Sequence, residues 1–275
     1  MVPADQPIPP ETDRNLAVAG DQPRKSDLGV RTASAVVMLV VAGAAIWAGS
    51  WLWWAFVALV ALGVLLEWVR LVVAATPGLF SRLLWFAGGL IFIGGAAATL
   101  VDLRQRGPHA VLGIVLQVIA VDVGAYFAGR TIGGPKIAPR ISPSKTWAGL
   151  GGGIVAACLL VGALITLDFY NNFGALPWDK ATPPYQLQMW LVNLRGGLLP
   201  SVASLGAGFL PAVLVAIVAQ TGDFFESWMK RRAGVKDSGR LLPGHGGLFD
   251  RVDGLLAVLF VLAILHLMLH PNGGL

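Results

Sequence analysis

The chain is a succession of apolar runs, each about twenty residues long, divided by short stretches that hold most of its charge. A helix that crosses a bilayer needs roughly 20 mostly apolar residues. Seven runs meet that length, at about 30–49, 51–72, 81–101, 109–129, 147–168, 199–222 and 247–270. The pattern predicts an all-α, polytopic integral membrane bundle of about seven transmembrane helices, eight or nine if a long segment is split. Only Gly49 and Ser50 separate the first two runs, which predicts a tight helical hairpin.

Composition agrees. Charged residues make up 13% of the chain and hydrophobic ones 56%, against about 25% charged in a soluble domain. The formal net charge of +5 is confined to a few segments. A nucleic-acid binder would instead carry a basic stripe on a polar domain, so no nucleic-acid partner is expected. The single cysteine, Cys158, lies in an apolar run and reads as a packing residue.

Three regions follow. Residues 1–28 form a polar, proline-rich tail with no removable signal peptide, so the first span serves as its own insertion signal. Residues 29–105 hold the N-terminal spans, and residues 106–275 hold the remaining spans with two charged loops. Lys and Arg favour the cytoplasmic side. The basic residues before span one and after spans two, four and six place the N-terminus and both charged loops inside, with Arg104 and Arg106 as exceptions. The outer segment 184–195 reads as an interfacial helix, and His266 and His270 as interfacial residues.

The acids have helical spacing. Asp223, Glu226, Ser227 and Lys230 stand at i, i+3, i+4 and i+7, so they share a face if span six continues. Asp250 and Asp253 share a face at the start of span seven, and Asp122 lies in span four beside small residues. A carboxylate at membrane depth costs a few kcal/mol even on lenient scales. It persists when it is paired with a base or binds a cation. One such acid is explained by pairing with Lys230, Arg231 or Arg251. Four, Asp122, Asp223, Asp250 and Asp253 on three helices beside two basic loops, point to a cytoplasm-facing site for a divalent cation and a polyphosphate. Magnesium suits one or two carboxylates plus substrate phosphates, while Lys and Arg clamp the remaining oxygens. Gly246 and Gly247 open span seven with free N–H groups turned to the loop. His245 reads equally as a phosphate donor or a turn residue.

The stretch from Ser227 to Asp253, S-W-M-K-R, four residues, then K-D-S-G-R-L-L-P-G-H-G-G-L-F-D-R-V-D, resembles the signature of the phosphatidate cytidylyltransferase (CDP-diacylglycerol synthase) family. The block Asp122–Gly149, DVGAYFAGRTIGGPKIAPRISPSKTWAG, resembles that family's upstream segment. Ala148 departs from it, standing where the family carries a glutamate. The resemblance covers spans four to seven and makes 106–275 a catalytic transmembrane domain. It implies a magnesium-dependent nucleotidyltransferase of phospholipid biosynthesis, with a second cation as an option. CTP and phosphatidic acid would give CDP-diacylglycerol and pyrophosphate at a bacterial-type inner membrane, with the active site facing the cytoplasm.

The implied roles follow. Asp223 and Asp250 are first choices for the metal, and Asp253 and Asp122 second choices or supporting partners. Lys230, Arg231, Lys236 and Arg251 would hold the CTP phosphates. Lys145 and Arg130 would hold the lipid phosphate or pyrophosphate. Ser227 would bind metal or phosphate, and Asp237 would orient Lys236. A homodimer is a further implication. The rivals are a CTP-dependent lipid kinase, which would release CDP, and a transporter. Transporter sites lie near the bilayer midplane, whereas these acids cluster at helix ends.

Overall fold

Backbone N–H and C=O groups find no water partner in a bilayer, so an apolar run of this length forms a helix. The computed structural model describes residues 28–174, 202–242 and 246–269. It contains seven helices among them: α1 (Leu28–Ala48), α2 (Ser50–Ala75), α3 (Leu79–Gln105), α4 (Pro108–Thr131), α5 (Trp147–Gly174), α6 (Val202–Ala233) and α7 (Phe249–Leu269). Six of them, α2 to α7, contain stretches long and apolar enough to cross a membrane, and α1 adds a shorter apolar stretch, Thr32–Ala48. The protein is a polytopic helical membrane protein. The N-terminal tail, the segment 184–195, His245 and His270 lie outside the described residues.

The expected hairpin of the first two spans is present. Gly49 separates α1 from α2 with φ +60°, a left-handed conformation that glycine adopts without strain. Arg104 of α3 donates from Nε to the Ile46 carbonyl at 2.7 Å, satisfying a carbonyl at the C-terminus of α1. One structural element went unanticipated. The loop after α4 folds into an antiparallel hairpin, β1 (Lys136–Ala138) with β2 (Ser142–Thr146).

Two packing units position the site. In one, an aromatic group made of Trp68, Trp85, Phe92, Phe225, Trp228 and Phe249 locks α2 and α3 against α6 and α7, with ring centroids 5.8–6.3 Å apart. Trp68 also donates from Nε1 to the Trp85 carbonyl at 3.0 Å. In the other, α4 meets α5 through small residues. A Cβ on Gly124 would lie 2.5 Å from the Gly152 carbonyl oxygen, and one on Gly152 would lie 2.7 Å from that of Gly124. Helices approach this closely only through small side chains. Cys158 is half-buried against the core that α4 to α7 share.

This contact gives a direct test. Gly152→Leu should lower stability in detergent by about 1–3 kcal/mol or more, because the contact is backbone on backbone and cannot yield. Gly151→Ala, one position away, meets nothing within 4 Å and should melt like the parent. Thermal unfolding of both variants, followed by circular dichroism, checks this.

Candidate active site

Helix α6 continues unbroken past its apolar stretch to Ala233. Its acids and base therefore fall on one stripe, and Asp223, Glu226, Ser227 and Lys230 all line a single cavity of about 720 Å³. Asp122 and Arg130 of α4, Lys145 of β2, Arg231, Lys236, Asp237, and Asp250, Arg251 and Asp253 of α7 line it too. The two stretches singled out in the sequence, 122–149 and 227–253, thus face each other across one space.

Each wall is held by local chemistry. The β-hairpin delivers Lys145 to the cavity. The next residue, Thr146, caps α5 by accepting from the Gly149 amide at 3.0 Å. Arg231 donates from Nε to the Ile141 carbonyl at 3.3 Å, tying the hairpin to α6. Lys145 forms an ion pair with Asp223. Asp253 and Asp122 lie within electrostatic reach of Asp223 and Lys145. Helices α6 and α7 come close enough for this because Gly222 and Gly254 sit beside the acids. A Cβ on Gly222 would lie 2.6 Å from the Asp253 carbonyl oxygen.

Asp250 is held differently. Its Oδ1 accepts from Lys230 Nζ at 2.6 Å. Its Oδ2 accepts from the Ser238 amide at 2.9 Å and the Gly247 amide at 3.0 Å, and lies 2.9 Å from the Ser238 hydroxyl. Lys230 also pairs with Glu226 Oε2 at 2.5 Å. Gly247 must be glycine here, since a side chain would enter the space of Ser238 Oγ and Asp250 Oδ2. Gly246 takes φ +87°, and its carbonyl accepts from the Leu242 amide at 3.1 Å.

Three residues in this region received no role from the sequence. Glu226 is 1% exposed, and its Oε1 has no hydrogen-bond partner among the described residues. Gln220, about one turn before Asp223 on α6, lines the cavity with its buried Nε2 likewise unpartnered among the described residues. Glu67 of α2 is fully buried. It accepts from the Leu248 amide at 3.0 Å and the Phe249 amide at 2.8 Å, and its Oε2 lies 2.9 Å from the Ser238 hydroxyl. The available signal for Glu67 was a lone acid inside an apolar run, LLEWVRL. Its partners lie 171 to 182 residues away.

The carboxylates suit a hard cation. Among the described residues no three such side chains converge tightly enough to close a metal site alone. Magnesium does not need that, because it keeps waters and takes substrate phosphates beside one or two carboxylates. Asp223, Asp253 and Asp122 line the same cavity, with Lys145 paired to Asp223. Asp250 is already occupied by Lys230 and the loop amides.

A sequence model of the cytidylyltransferase family matches residues 76–269, which include every cavity-lining residue named above. The chain belongs to the cytidylyltransferase family. It is 42% identical over 180 residues to the phosphatidate cytidylyltransferase of Brucella suis, covering 63% of this chain and 53% of that protein. It is 36% identical over 183 residues to the phosphatidate cytidylyltransferase of Haemophilus influenzae, covering 65% and 54%. The chain thus spans about half the length of these curated relatives. It is 28% identical over 248 residues to the phosphatidate cytidylyltransferase of Rickettsia conorii, covering 90% and 94%.

Proposed function

We propose that the protein is a phosphatidate cytidylyltransferase: it joins CTP to phosphatidic acid and releases pyrophosphate, giving CDP-diacylglycerol. The observation that carries this reading is the single cavity in which the acids Asp122, Asp223 and Asp253 meet the bases Lys145, Lys230, Arg231 and Lys236. A triphosphate needs both kinds of group, since its own charge must be neutralised and its cation held. The cavity faces the cytoplasm, where CTP is found, and opens at the headgroup level of the inner leaflet of a bacterial-type membrane. A homodimer is compatible with this reading.

The lipid phosphate oxygen attacks the α-phosphorus of CTP. The bond from that phosphorus to the bridging oxygen of the β-phosphate breaks, and pyrophosphate leaves. The nucleophile is already an anion, so the protein supplies position and charge neutralisation rather than a strong base. Lys145 and Arg130 hold the lipid phosphate, and Lys230, Arg231, Lys236 and Arg251 hold the CTP phosphates. Ser227 adds a hydroxyl donor, and Asp237 orients Lys236. Asp223, with Asp253 and Asp122 beside it, would hold a magnesium ion, and Asp250 supports it through Lys230. When bound there, magnesium would supply charge neutralisation for the triphosphate and the departing pyrophosphate. As phosphate oxygens enter they compete with the carboxylates for Lys145 and Lys230. Each lysine then turns from acid to substrate with little movement.

Purified protein given labelled CTP, phosphatidic acid and magnesium should form lipid-linked CMP with equimolar pyrophosphate. Release of CDP would mean a kinase, and absence of both products would end the reading.

A further inference from the structure

We propose that Glu67 is a positioning residue for Asp250, which makes α2 part of the catalytic unit. The inference rests on reading the cavity as the site for CTP and the lipid phosphate. Glu67 precedes residue 76, where the family match begins, and it does not line the cavity. Its carboxylate nevertheless reaches the cavity wall in one step. The Ser238 hydroxyl lies 2.9 Å from both Glu67 Oε2 and Asp250 Oδ2 and gives its one hydrogen to either, while the Ser238 amide donates to Asp250 Oδ2 at 2.9 Å, so one residue stands between the two acids. Asp250 in turn holds Lys230.

The second link runs through backbone. The first amides of a helix have no partner inside it. Glu67 accepts two at the start of α7, from Leu248 and Phe249, and Asp250 follows directly. The carboxylate therefore fixes the first turn from which Asp250 projects. A fully buried carboxylate is costly unless donors surround it, and here two backbone amides and the shared Ser238 hydroxyl do. A tie between helices alone would need only the two amides. The contact with Ser238, which leads to the oxygen of Asp250 facing the loop, is what an aligning role adds. Gly239 leaves room for it, since a side chain there would collide with Glu67 Oε1.

The test uses the full chain in lipid-containing detergent. Glu67→Gln keeps volume but turns an N–H group towards donors. Ser238→Ala removes the hydroxyl and leaves both backbone bonds in place. Each should lower kcat about 10- to 100-fold, the usual effect of losing a group that orients a ligand-binding side chain. KM for phosphatidic acid should hold, because its phosphate is held on the opposite wall. The double variant should fall little further than the worse single one, since both act on one link. Amide exchange at Leu248 and Phe249 should quicken in Glu67→Gln and stay slow in Ser238→Ala. Equilibrium affinity for magnesium-CTP should drop in both. Wild-type kcat per folded molecule in Glu67→Gln, independent losses that multiply, or unchanged exchange would each overturn the proposal. If the parent protein makes no lipid-linked CMP, the functional reading fails; exchange and CTP affinity still decide the Glu67 link.

Discussion

Asp223→Asn should lower synthesis of the CDP-lipid by about a factor of 10² to 10³, the scale seen when one group that stabilises a developing charge is removed. The asparagine is almost the same shape, so the helix and the aromatic packing behind it should survive. Two losses add at this position. On the proposed reading the cation loses a carboxylate ligand, and Lys145 loses its ion-pair partner while remaining only 22% exposed. The magnesium concentration for half-maximal rate should therefore rise, which a defect in folding alone would not cause. Asp102→Asn provides the contrast. Asp102 pairs with Arg106 at 2.8 Å on the exposed end of α3, away from the cavity. An exposed pair of this type contributes about 0–1 kcal/mol, and turnover should stay within about twofold. An Asp223→Asn enzyme with parental rate and magnesium response would remove Asp223 from the cation site.

How much of this was legible beforehand depends on the range of each interaction. The helices follow from local hydropathy, and their bounds fall within a few residues of the apolar runs, apart from α5 and α6, which extend further. The stripe on α6 follows from helical period, because Asp223, Glu226 and Lys230 belong to one continuous segment. The pairing of acids across helices does not follow from period. Which of Asp250 and Asp253 lies beside Asp223 is set by the close packing of Gly222 and Gly254 against neighbouring backbone. That packing brings Asp253 towards Asp223 and leaves Asp250 to Lys230. The β-hairpin was hidden because residues 130–145 read as a charged, glycine-containing loop with no alternating pattern. Glu67 was hidden by distance, since nothing near it in the sequence indicates that its partners lie in a loop near the other end of the chain.

Lys230→Met should have the largest effect on stability, and its pattern of rescue separates folding from catalysis. Lys230 is the common partner of Glu226 and Asp250, whose side chains are 1% and 9% exposed. Removing one member of a buried ion pair leaves an uncompensated charge, at a cost of about 3–5 kcal/mol. Glu226 suffers most, because Ser238 and Gly247 still bond to Asp250 while Oε1 of Glu226 has no partner among the described residues. Adding Glu226→Gln to Lys230→Met neutralises that acid and should recover about half of the lost stability. Activity should remain down by about 10² or more in both variants if Lys230 holds the CTP phosphates as proposed. If lysine were there only to neutralise buried acids, the double variant would regain activity along with its stability. Chemical or thermal unfolding in detergent, measured beside initial rates on the same preparations, distinguishes the two cases.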